Sequence, residues 1–416
     1  MNFHAFLFCC LNMEKKSDII VTLKLSGKES TESMKYAVMI CGGLSDRTIP
    51  DQNDRTPLSV ARTPCMDGLS QKAEIGLAKT VEITEQPAAE KAVLSVLGYD
   101  PKRYFKGAAP FCAANQGITA EADDVIFQCS LVRLSDSEIY EEKTMLSEYA
   151  DVDEKAFDKI FRTVSETFGN DIFRFVRGSD NRIFLIWKRG EAYAGEFSPP
   201  SKALEQCIGD YLPKGDFVQP LYDMMRQSSA MLENGISLWI WDEGVNPQLE
   251  SFQSKFGMKG CVMADTDFVR GIAKLAGMKV LSCDSSIPQT VMRELADGQD
   301  IVFVYQNNWY ADSLKGDFKG KVKSVEKFDK DIIQPVTESL QNAGEDFGIM
   351  IVSELAASVY LKRYCNDPVP YLIYRSNDEK SSGSSSFNEN TAADSPYYIA
   401  KPCELLHRLI SRPEQP

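Results

Sequence analysis

At 416 residues, with 43% hydrophobic and 25% charged side chains, the chain has an ordinary globular composition and enough length to bury a core in two domains. Its net charge of -14 argues against a nucleic-acid partner, because phosphate backbones are met by clustered Lys and Arg. No run of roughly eighteen apolar residues occurs, so no membrane-spanning helix and no membrane partner are expected.

Eleven cysteines are scattered without CxxC pairs, and Cys41, Cys129 and Cys261 sit inside apolar runs. That pattern suits buried thiols in a reducing cytoplasm rather than a disulfide framework or a zinc site. Two histidines are present, His4 and His407, one at each end of the chain, so any mechanism needing several imidazoles in one pocket is excluded. Both read as surface residues.

Residues 1–33 contain an apolar FHAFLFCCL stretch without a basic region before it or a clear cleavage site after it. They are expected to be an extension, or the product of a start assigned ahead of Met34. KYAVMICGG (Lys35–Gly43) reads as a buried parallel strand running into a glycine turn, with Asp46 as a turn or capping residue beyond it. RTPLSVARTPCMDGL (Arg55–Leu69) follows, and then PAAEKAVLSVLGYD (Pro87–Asp100), continued as PKRYFKGAAP.

These stretches resemble the archaeal-type cofactor-independent phosphoglycerate mutases of the alkaline phosphatase superfamily, in which the corresponding segments read roughly KTPL…AKTPNMD and GSDVANLSVLGYDP. The resemblance implies an α/β fold with a mostly parallel, alkaline-phosphatase-like sheet flanked by helices. In the family the first Ser of the second motif is phosphorylated during the reaction; the shared LSVLGYD places Ala89 at that position. An alanine has no oxygen with which to attack phosphorus.

Beyond Pro110 the pattern changes. DDVIFQCSLVRL (Asp123–Leu134) alternates like an antiparallel strand and resembles the family's DDVAFRCNLVTL. Phe157, Ile160, Phe161, Val164 and Phe168 recur at helical spacing, and strands are expected at Ile172–Val176 and Ile183–Trp187. The resulting division is a discontinuous phosphatase-like domain (34–117 and 256–412) and an inserted α+β cap (118–255). In the family such a cap closes over a phosphosugar acid. Arg182 keeps the Arg of a family YRHLLVW-like strand and is the candidate for holding a phosphate, while the adjoining His has become Ile183. SLWIWDEG stands where family members have SIWLWGQG, and Tyr222–Gly235 runs through with only Arg226 basic where many relatives insert an arginine-rich loop. Weaker capture of an anionic substrate follows.

Phe256–Leu281 marks the return to the first domain. Asp265, Thr266 or Asp267 can cap a helix that Gly277 ends, and a strand begins at Lys279. The resemblance implies two divalent ions, manganese or magnesium, held by Asp and His ligands in loops at the carboxyl ends of sheet strands. The matching positions hold Gly42, Tyr310, Leu314, Glu354, Leu355 and Tyr364, so no metal site and no cofactor are expected. A salvage site for a hard cation would draw on Asp46, Asp312, Asp317 and Glu354, and a replacement nucleophile would be Ser95. Lys319–Gln341 reads as a core helix that Pro335 kinks or ends, and the serine-rich 376–396 reads as a flexible loop before a final CELLHRLI helix.

The reading is a phosphoglycerate mutase-like protein without the family's nucleophile and ligands, kept as a non-catalytic binding or regulatory subunit with a protein partner. The alternatives are an active mutase with a rebuilt site, and a metal-free binder of a small phosphorylated acid that uses Arg182. Tyr310, Leu314, Leu355 and Tyr364 are expected to fill the former cleft as an apolar patch.

Overall fold

The computed structural model describes residues 34–82, 87–190, 195–283, 286–381, 383–401 and 403–411. The expectation for 1–33, together with His4, lies outside the described residues. Eight strands form one sheet, in spatial order β15 (Tyr397–Ile399), β2 (Glu74–Ala78), β14 (Val369–Arg375), β11 (Phe347–Ser353), β1 (Lys35–Cys41), β10 (Ile301–Gln306), β8 (Gly260–Met263) and β9 (Lys279–Leu281). Only β14 runs against the others. The central strands β1, β10 and β11 are buried along their length, which is why they read as continuous apolar runs rather than alternating ones. The expected mostly parallel α/β architecture is therefore the observed one.

Between β2 and β8 the chain builds an antiparallel sheet from β3 (Val125–Leu134), β4 (Met145–Ser147), β5 (Phe173–Arg177), β6 (Ile183–Trp187) and β7 (Ile236–Val245). β3 is its organiser, with β7 along one side and β6 and β4 along the other.

Helices cover both faces of the large sheet, and those that position the site are few. α1 (Ala89–Val96) and α2 (Ala109–Asn115) precede the second sheet. α3 (Glu154–Phe168) packs on that sheet through Phe157, Val164 and Phe168, the stripe visible in the sequence. α4 (Asp267–Leu275) ends at Gly277 (φ +67°) as expected. Thr266 occupies its N-cap position but makes no capping bond, and Asp267 turns its carboxylate elsewhere.

The Lys319–Gln341 expectation is refined by the structure. α5 (Asn308–Lys315) precedes α6 (Phe318–Phe328), which runs into a π-helical turn, Asp329–Ile333, and then α7 (Gln334–Ala343) with Pro335 in its first turn. The wider turn accommodates the missing proline N–H where a continuous α-helix would have broken.

The serine-rich loop expectation for 376–396 is corrected. This segment carries α8 (Glu389–Ala393), whose N-cap Asn388 accepts from the Asn390 and Thr391 N–H groups. Phe387 is fully buried beneath it. Two anchors in a polar stretch thus hold it to the core, and α9 (Glu404–Ile410) closes the chain with Leu405, Leu406 and Leu409 inward. His407 is exposed on that helix, and the nine described cysteines are all free. Among the described residues no helix is long and apolar enough to cross a membrane.

Candidate functional site at the carboxyl ends of the parallel strands

The loops after β1, β10 and β11 meet where an open α/β sheet places its sites. The Gly42 N–H donates to the Gln306 carbonyl at 2.5 Å, and the Tyr310 N–H donates to the Gly42 carbonyl at 3.2 Å. A Cβ at Gly42 would lie 2.5 Å from the Asn307 Cβ, so the strand ends approach too closely for any side chain there. Gly43, at φ +76°, aims its N–H at Glu354 Oε2, 3.0 Å away.

Glu354 is fully buried, and its other oxygen accepts from the Tyr364 hydroxyl at 3.2 Å. Burial pushes its carboxyl up to about 8, against the opposing pull of the Gly43 N–H and the other bonds it accepts. The Thr80 hydroxyl, just beyond β2, donates to the Glu354 carbonyl. Tyr364 stacks face to face on Tyr310, with ring centroids 3.8 Å apart and planes 5° from parallel.

Behind these rings Leu355, Val81 and Ala92 form a small apolar cluster, against which Ala89 and Tyr364 pack. Ala89 is the first residue of α1, whose N-cap Ala88 offers no side-chain bond. The structure therefore brings Gly42, Ala89, Tyr310, Glu354, Leu355 and Tyr364 together. Leu314 departs from the expected apolar patch: it stands apart in the last turn of α5, 45% exposed.

The four carboxylates considered for a salvage site do not converge. Asp312 accepts from the Ser324 hydroxyl at 2.7 Å, and Asp317 caps α6 by accepting from the Gly320 N–H at 2.8 Å. Asp46 is buried rather than a solvated turn residue. The Lys321 ammonium donates to its Oδ2 at 2.9 Å, to the Ser45 carbonyl at 3.2 Å and to the Ala357 carbonyl at 2.7 Å. Glu389 completes the network, accepting from the Asp46 N–H at 2.9 Å and the Thr56 hydroxyl at 2.6 Å. Among the described residues no group of three or more His, Cys, Asp or Glu is placed to hold a metal ion.

Ser95 spends its hydroxyl on the Lys91 carbonyl at 2.8 Å, on the wall of a cavity of about 490 Å³ shared with Lys91, Lys102 and Phe105. Arg182 is paired with Asp267, whose carboxylate also receives Asn115 Nδ2 at 2.5 Å and Gln116 Nε2 at 3.0 Å. Its guanidinium is thus engaged with the first turn of α4. Arg226 is exposed and lies 3.5 Å from Asp223. Lys321 and Glu389 escaped the sequence reading; the only available signal was a lysine at a core-facing position of an otherwise apolar stripe.

A family model for 2,3-bisphosphoglycerate-independent phosphoglycerate mutase matches residues 70–236. A relative of that name from Methanosarcina mazei is 28% identical over 402 residues, covering 91% of this chain and 100% of its own. One from Geobacter sulfurreducens, named a probable enzyme of the same kind, is 26% identical over 404 residues, with the same two coverages. Among solved structures, the PH0037 protein of Pyrococcus horikoshii superposes with a TM-score of 0.68 at 21% identity, covering 92% of this chain and 98% of its own. The cofactor-independent phosphoglycerate mutase of Thermoplasma acidophilum does so at 0.57 and 21%, covering 90% and 99%. At that identity the structures speak for the fold alone. Along most of its length the chain is similar in sequence to 2,3-bisphosphoglycerate-independent phosphoglycerate mutases.

Proposed function

We propose that this phosphoglycerate mutase-like protein works as a non-catalytic binding or regulatory subunit, engaging a protein partner rather than transferring a phosphoryl group. The observation that carries the reading is the composition of the group around Ala89. A methyl group heads α1 and packs beside Leu355 and Tyr364, where a nucleophile would need an oxygen.

A pair of divalent ions needs several oxygen or nitrogen donors arranged around it. The residues here do not fit that requirement. Gly42 has no side chain, the two phenols are stacked on each other, and Leu355 is apolar. The carboxyl at the family's ligand positions, Glu354, is buried, biased toward its neutral form and already bonded to Gly43 and Tyr364.

The second reading, an active mutase, is favoured by the name borne by relatives that span 91% of the chain. It would require a rebuilt site elsewhere in the cleft. A small-anion binder built on Arg182 is disfavoured by the pairing of that guanidinium with Asp267.

The test is the thermal midpoint with and without manganese or magnesium and 3-phosphoglycerate, since a ligand of the native state raises it. Mutase turnover is assayed on the same folded sample. No shift and no turnover are expected. A metal-dependent rise with turnover would overturn the proposal in favour of the active mutase, and a rise with 3-phosphoglycerate alone would favour the anion binder.

A further inference from the structure

Half of the chain's net charge sits in one short run. Residues 136–154 carry eight acidic side chains against Lys143 alone, a net -7 of the chain's -14. Lys143 turns its ammonium to the Ser135 carbonyl at 3.2 Å. Of the eight acids, among the described residues, only Glu154 enters an ion pair, with Arg177 at 3.5 Å. The run forms an edge of the second sheet through a single helical turn (Tyr140–Glu142) and β4, held down by the buried Tyr140 and Met145. It lies along 204–208, where the Glu205 N–H donates to the Met145 carbonyl and the Ile208 N–H to the Lys143 carbonyl, both at 2.9 Å. The same edge turns Ile139, Leu146, Tyr149 and Leu204 to solvent, Tyr149 at 64% exposure.

A second exposed patch, of opposite charge, lies at the carboxyl ends of the parallel strands. The loop between β12 (Ala356–Ser358) and β13 (Arg363–Cys365) is tied at its base. There the Leu361 N–H donates to the Ser358 hydroxyl at 3.1 Å and the Lys362 N–H to the Ser358 carbonyl at 2.8 Å. Tyr360, Leu361, Lys362 and Arg363 are exposed at its tip, Tyr360 at 66%. The end of α5 abuts this tip, since a Cβ at Gly316 would lie 2.9 Å from Lys362 Cε, and it brings the exposed Leu314 and Lys315 alongside. Among the described residues Lys315, Lys362 and Arg363 enter no ion pair. No acid occurs from 358 to 366, and Asp317, the acid nearest Lys315 in the chain, is occupied in capping α6. α5 and β13 also carry Tyr310 and Tyr364, so the patch borders the stacked rings.

Small groups of exposed apolar side chains rimmed by charge have the anatomy of a contact surface. Here two such surfaces occur on one chain with opposite signs. We propose that they bind each other between copies of this protein, the acidic edge of the second sheet in one copy seating on the basic tip between β12 and β13 in the next. Charge selects this arrangement over a two-fold dimer: edge against edge would oppose two runs of -7, and tip against tip would oppose unpaired cations. The contact is heterologous. A pair of copies therefore keeps one free surface of each kind, and growth continues with concentration unless the rotation closes a ring. This inference stands apart from the role proposed for the group around Ala89, because the contact needs no other protein and is independent of mutase turnover.

Sedimentation velocity of the full-length protein is followed from about 1 µM to about 100 µM, at about 0.02 M and about 0.5 M salt. The mean sedimentation coefficient should rise with concentration at low salt and rise less at high salt, where exposed charges are screened. Two variants remove one surface each at exposed positions: Tyr360→Ser with Arg363→Ser, and Leu146→Ser with Tyr149→Ser. Each alone should associate about tenfold or more weakly than the wild type. Mixed in equal amounts, they should form a dimer and nothing larger, since each supplies the surface the other lacks. Neutral substitutions keep the two altered surfaces from becoming complementary to each other. A wild type that stays monomeric throughout the range overturns the proposal. So does association that either variant leaves unchanged, or a mixture of the two that fails to dimerise.

Discussion

Replacing Lys321 with Met removes an ammonium that is entirely buried together with its partner Asp46. The aliphatic stem is nearly preserved, so the perturbation is chiefly electrostatic. Burial pulls the Lys321 ammonium below its ordinary value, while Asp46 holds it up, through both its charge and its hydrogen bond. Without the cation the Asp46 carboxylate keeps only the Val359 and Arg47 N–H groups, and the Ser45 and Ala357 carbonyls lose a donor. Breaking one side of a buried pair costs about 3–5 kcal/mol, much of it the penalty of the charge left behind. Equilibrium urea denaturation should therefore show Lys321→Met losing about that much. The double variant Lys321→Met, Asp46→Asn should recover a substantial part, because the orphaned charge is gone. The loop after β1 and the strand β12 (Ala356–Ser358) should show faster amide exchange in the single variant, since Lys321 bonds to both. A loss below about 1 kcal/mol, or a double variant no better than the single, would refute the assignment of Lys321 as the tie between these loops.

Further outcomes follow from other contacts. Gly43→Ala, at φ +76° with its new Cβ 2.8 Å from the Ala357 Cβ, should cost about 1–3 kcal/mol in the same denaturation assay. Phe387→Ala removes a fully buried ring and should cost about 3–5 kcal/mol, with limited proteolysis within 376–396 accelerated more than elsewhere. Ala89→Ser restores a hydroxyl at the head of α1 but not the donors around it; neither mutase turnover nor a phosphoenzyme should appear when it is incubated with 3-phosphoglycerate and manganese.

Much of the scaffold was legible because its elements are locally consistent. The apolar runs of β1 and β10, the alternation of β3 and the stripe of α3 each state a period that the fold then uses. Most of the residues around Ala89 could be brought together only through the family resemblance, since the positions 42, 89, 310, 354 and 364 share no local pattern. What escaped was long-range and polar. Lys321 finds its ionic partner Asp46 275 residues away in the chain, which no helical stripe announces. A serine-rich segment reads as a loop by composition, yet one buried phenylalanine and one half-buried glutamate bonded to Asp46 and Thr56 suffice to fix it. Leu314 failed in the opposite sense: an apolar residue near the family site faces solvent, because α5 turns its Trp309 and Ser313 face inward instead.

The paired rings of Tyr310 and Tyr364 give the protein an optical handle of its own. Two phenols held almost parallel in a chiral setting couple their transitions, so they should contribute a distinct band to near-ultraviolet circular dichroism. Any movement of the segments that carry them slides these rings apart and uncouples them. The band then becomes a spectroscopic witness of how the loops around Ala89 are arranged, readable without a label.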